Sequence, residues 1–129
     1  MSVSLPAPQF TSRHFRQTDP FDRAWQVEFQ WMQTAISIRH ADAVDVKFAL
    51  RSEEGEQAKV IALPHPLLLD LSRQSGHELN DAWCLRIASS HLRGMIKSWA
   101  DMDKTLVTLT APELAEAAQH VQRVEAQFA

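Results

Sequence analysis

The side chains able to do chemistry are six histidines (His14, His40, His65, His77, His91 and His120), one cysteine (Cys84), a close carboxylate pair (Asp101 and Asp103) and a short basic stripe. A metal centre needs two to four converging donors, and its usual mark is a histidine pair at helical or strand spacing. No two histidines here lie closer than 12 residues in sequence. His77-Glu78 opens like a zinc-protease helix motif, but Asp81 stands where the second histidine belongs, so the motif fails. The expectation is no metal and no cofactor. Cys84 and His91 share a predicted helix and nearly one of its faces, about 10 Å apart along the axis, too far for a thiolate–imidazole pair. Cys84 reads as a small buried thiol beside Ile87. Asp101 and Asp103 at a helix exit can hold a divalent cation, or serve as acid and base in a cleft. The plainer reading is a solvated turn in which Lys97 pairs with Asp101. No residue is assigned a catalytic role.

Two groups remain as binding candidates. Arg86, Arg93 and Lys97 share a helix face with Ser89 and Ser90 close by, the arrangement that meets phosphates or an acidic partner. Trp25, Phe29 and Trp31 alternate along one predicted strand and carry more aromatic surface than one strand ordinarily buries. Exposed aromatic patches mark protein interfaces, so these three are the partner-binding candidates.

Charge and composition narrow the classes. Net charge is −3, with residues 1–64 at −1 (7 basic, 8 acidic) and 65–129 at −2 (6 basic, 8 acidic), so neither half is a basic nucleic-acid module. Three glycines, Gly55, Gly76 and Gly94, cannot make a Rossmann or P-loop phosphate cradle. One cysteine cannot form an internal disulfide and fits a reducing compartment. Met1 to Phe10 lacks the charged start and apolar run of a signal peptide, and no apolar stretch is long enough to span a membrane, so the expected location is cytoplasmic.

The elements that must position these groups follow from periodicity. The 129 residues fit one domain, able to bury roughly two-thirds of its unfolded surface without a disulfide or metal. Residues 1–19, with Pro6 and Pro8, read as an irregular arm whose Phe10 and Phe15 fold back onto the domain or a neighbour. Residues 20–129 form the domain.

Trp25, Val27, Phe29 and Trp31 alternate strictly with Gln26, Glu28 and Gln30, so all four are expected on one face. The parity then slips at Met32, and Ile36 and Ile38 follow the new phase. A bulge or a sharp bend is implied. Strands are expected near 25–38, 43–52 and 57–63, with 105–110 as a candidate fourth, joined as an antiparallel meander.

After Pro66 the period changes to that of helices, near 66–75, 80–100 and 111–128. Gly76 serves as a C-cap, and Thr110 with Glu113 as a capping box. Gly94, mid-helix, is expected to permit a close crossing by another element, with room for a ligand as the alternative. The class is α+β, with the helices packed on one sheet face.

The functional expectation is a non-catalytic interaction or assembly protein, homodimeric through the aromatic strand. A ligand binder or small enzyme with a pocket between sheet and helices, using Asp101, Asp103, His65 or His91, is the alternative. A weak nucleic-acid or acidic-partner binder using Arg86, Arg93 and Lys97 is the third reading.

Overall fold

Alternation of apolar and polar residues makes the first half of the chain a sheet. The computed structural model describes residues 12–35 and 42–127. Ile36, Ile38, His40, Phe10 and Phe128 lie outside the described residues. Strands β1 (His14–Thr18), β2 (Ala24–Ala35), β3 (Ala43–Ser52) and β4 (Gly55–Pro64) are followed by helices α1 (His65–Ser75) and α2 (Asp81–Ser98), strand β5 (Leu106–Thr108) and helix α3 (Ala111–Gln127). One sheet holds all five strands in the order β1-β2-β3-β4-β5.

The α+β class and the central meander agree with the sequence reading, and three details differ. First, His14–Thr18, expected in the irregular arm, is an edge strand antiparallel to β2, and Phe15 opposite Val27 is buried in the core. Second, β5 does not continue the meander. It runs parallel to β4, because α1 and α2 carry the chain across the sheet before it returns. Third, the bulge in β2 falls one residue earlier than the sequence suggested. Phe29 pairs with Phe48 and Trp31 with Lys47, which leaves Gln30 as the extra residue. Trp25, Val27 and Phe29 therefore face the helices, and after the bulge Met32 does. Trp31 turns to the opposite face.

On the helix side Val44, Val46, Phe48 and Leu50 of β3, with Ile61 and Leu63 of β4, are buried. Helix α2 packs across β1 to β4, and α3 packs on α2 and α1. Ile87, Leu92 and Ile96 of α2 join Leu114, Ala117 and Val121 of α3 in the same core. The helix ends are set locally. Asn80 accepts from Trp83 N (2.9 Å), and Gly76 closes α1 in the left-handed region at φ 70°. The expected capping box forms at α3, with Thr110 N donating to Glu113 Oε1 (2.9 Å) and Glu113 N to Thr110 Oγ1 (3.4 Å).

Two charged side chains are buried and bonded. Lys59, on the helix side of β4 opposite Phe48, donates from Nζ to the carbonyls of Met102 (2.6 Å) and Lys104 (2.5 Å), fixing the loop into β5. Burial pushes the Lys59 ammonium down, and nearby Asp103 pushes it back up. Asp19 holds the β1–β2 turn, accepting from Phe21 N, Arg23 N, Arg23 Nε and the Trp25 indole at 2.7–3.0 Å.

Candidate functional site

With the helices on one side of the sheet, no described element packs on the other. That outer face carries a row running straight across four strands. Trp31 lies opposite Lys47, Lys47 opposite Val60, and Val60 opposite Leu106. Trp31 is 38% exposed and Leu106 57%. Lys47 Nζ sits 5.8 Å from the Trp31 ring centroid, within cation–π reach. The next row, Gln33, Asp45, Ala62 and Thr108, is polar or small. Burial pushes the Asp45 carboxyl up. At the sheet edges, β1 pairs with β2 only over residues 24–28, and β5 with β4 only over residues 60–62. What this face presents is a side-chain surface, apolar at both ends.

Of the three aromatic candidates, Trp31 alone is on this face. Trp25 is buried, with its ring 5.9 Å from that of Trp99. Phe29 is half-buried on the helix side, 6.3 Å from Phe48, with the Arg13 guanidinium 5.3 Å over it. Leu106 was missed by sequence reasoning. Thr-Leu-Val-Thr-Leu-Thr has no clean alternation, and its outward side became visible only through the parallel pairing with Val60.

The three residues of the basic stripe lie in different surroundings. Arg86 is drawn into an ion pair with Glu125, which also lies 3.4 Å from His77 Nε2. Arg93 is half-buried, its guanidinium 4.7 Å over the Phe15 ring. Lys97 is exposed. Arg93 and Lys97, together with His91 and Asp101, line a cleft of about 480 Å³ between α2 and α3. Of the four side chains expected around a pocket between sheet and helices, His91 and Asp101 share this cleft, and His65 and Asp103 lie elsewhere. His65 opens α1, its N–H bonded to Asp42 O at 2.7 Å, while Asp103 lies near Lys59. Asp101 pairs with Lys104 Nζ at 3.1 Å rather than with Lys97.

His91 Nε2 stands 4.0 Å from Glu113 Oε2. Burial pushes the imidazole down, against the upward pull of Glu113, Asp101 and Glu116. Cys84 is buried, and burial with Asp81 nearby pushes its thiol up to about 11, so it stays protonated and is a poor nucleophile. Among the described residues no group of three or more His, Cys, Asp or Glu side chains is placed to hold a metal ion. Nor is any described helix long and apolar enough to cross a membrane.

Comparison of the chain with protein-family models, with curated proteins and with solved structures finds no match.

Proposed function

We propose that this chain is a non-catalytic assembly protein that pairs with a second copy of itself through the outer face of its sheet. The observation that supports this reading is the row from Trp31 to Leu106, with a large, partly exposed apolar side chain at each end. Between the ends lie Lys47, whose stem is aliphatic, and Val60. A two-fold axis parallel to the strands, between β3 and β4, sets Trp31 against the partner's Leu106 twice over. Such an isologous contact satisfies both ends with one patch.

The face measures on the order of 600 Å² in projection, from strand spacings of about 4.8 Å and a rise of about 3.3 Å per residue. Side-chain relief adds to that, which brings it near the ~800 Å² per partner of a standard interface. Its charges are of both signs. Asp45 and Lys47 share the face two residues apart, and Arg51 pairs with Glu56 at 3.2 Å. A surface of mixed sign suits a copy of itself better than a polyanion.

The test is a complementation. Trp31→Glu alone and Leu106→Lys alone are each expected to be monomeric, since each places a charge against an apolar group at both ends of the interface. An equimolar mixture is expected to associate, because the new carboxylate meets the new ammonium while the intact Trp31 and Leu106 meet at the other end. Monomeric single variants whose mixture stays monomeric would reject the axis. Single variants that associate as the parent does would reject the face.

A further inference from the structure

The cleft between α2 and α3 lies on the helix side of the molecule and takes no part in the sheet face. Acidic and basic side chains both line it, but they differ in what they already hold. Asp101 is engaged by Lys104 at 3.1 Å. Glu113 accepts the capping bond from Thr110 N through Oε1 and turns Oε2 toward His91. Lys97, His120 and Arg123, by contrast, make no ion pair or hydrogen bond with the described residues. Glu116 is the one acidic lining group in that condition. The uncommitted charge in the cleft is therefore positive. His91 also lines the cleft, with its Nε2 buried 4.0 Å from Glu113 Oε2 and making no hydrogen bond.

Gly94 gives an independent reason to read the cleft as a site. It was expected to let another element cross α2 closely, and it does not. A Cβ built there meets nothing within 4 Å. A mid-helix glycine costs about 1 kcal/mol relative to alanine, and no packing accounts for this one. Its effect is to leave bare backbone as part of the cleft wall.

We infer that the α2–α3 cleft binds a small multivalent anion, a phosphate monoester or a dicarboxylate, between Lys97 and Arg123, with His120 as a hydrogen-bonding partner and His91 beside it in the wall. Arginine offers a planar fork and lysine a point charge, and both suit oxyanions of either kind. The glycine gap admits the body of the ligand beside the α2 backbone.

The experiment follows the histidine ring signals of the full chain by NMR during titration with inorganic phosphate, and separately with succinate, at constant ionic strength. The expected result is saturable movement of the His91 and His120 signals while those of His65 and His77 stay still. Lys97→Gln and Arg123→Gln should each weaken the apparent Kd about tenfold, the loss of one charge-assisted contact. Gly94→Leu, which fills the wall, should abolish the movement while thermal unfolding remains cooperative. Saturation by phosphate alone assigns the phosphate class, and saturation by succinate alone assigns the carboxylate class. Saturation by neither overturns the inference, as does movement that Lys97→Gln and Arg123→Gln leave unchanged. Dimerisation through the sheet face is read by mass, so either proposal can fail without the other.

Discussion

Asp19 shows how one side chain can organise a corner of the molecule. Burial alone would push its carboxyl up, but bonds from the Trp25 indole, from Arg23 through backbone and side chain, and from Phe21 N outweigh it and hold the group down at about 2. Arg23, paired with Asp19 at 2.7 Å, in turn lies over the rings of Trp99 (4.7 Å), Phe21 (5.1 Å) and Trp25 (5.9 Å). Trp99 itself ends α2 as its C-cap in the left-handed region at φ 63°, which bulky side chains rarely enter. Because the folded carboxyl titrates below the ordinary 3.8, Asp19 stabilises the fold fully above that value, and its contribution is lost as pH falls toward about 2. The midpoint of urea unfolding should therefore fall more steeply over that acid range for the parent than for Asp19→Asn. Parallel curves would show that the carboxylate is not engaged. The partnership of Asp19 with Arg23 and Trp25 was not legible in the sequence, because local pattern does not say which donors a turn carboxylate will meet.

At the scale of elements, hydrophobic period was sufficient for the helices and for β3, whose inward and outward residues alternate without a break. It was insufficient for β2. The parity slip was visible, but its place was not, since Trp31 reads equally well as the last residue of one phase or the first of the next. One residue of difference moves Trp31 from core to surface, as a bulge must. β1 was missed for a related reason: a five-residue edge strand with one buried side chain, Phe15, has no pattern of its own. In α2 the glycine was noticed, but the close crossing preferred for it is not there, because spacing does not reveal whether a neighbour approaches. Gly94→Ala is compatible with the helical backbone and meets no atom within 4 Å. It should stabilise the chain by about 0.5–1 kcal/mol in denaturant unfolding. Destabilisation would show that another element does press on this position.

For the whole molecule, composition and element order sufficed for the α+β class and for helices on one side of the sheet. The candidate site is a consequence of that layering, which leaves one face of a five-stranded sheet without a partner among the described residues. The aromatic excess that drew attention in the sequence divides between core and surface. Trp25 belongs to the core, and Trp31 shares the outer face with Leu106. Pairing of two copies through that face is the central claim, and sedimentation equilibrium of the parent chain tests it most directly. The account predicts a mass near twice the 14.6 kDa of one chain at micromolar concentration, reduced to one chain by Trp31→Glu. A mass of a single chain for the parent at every concentration reached would contradict it.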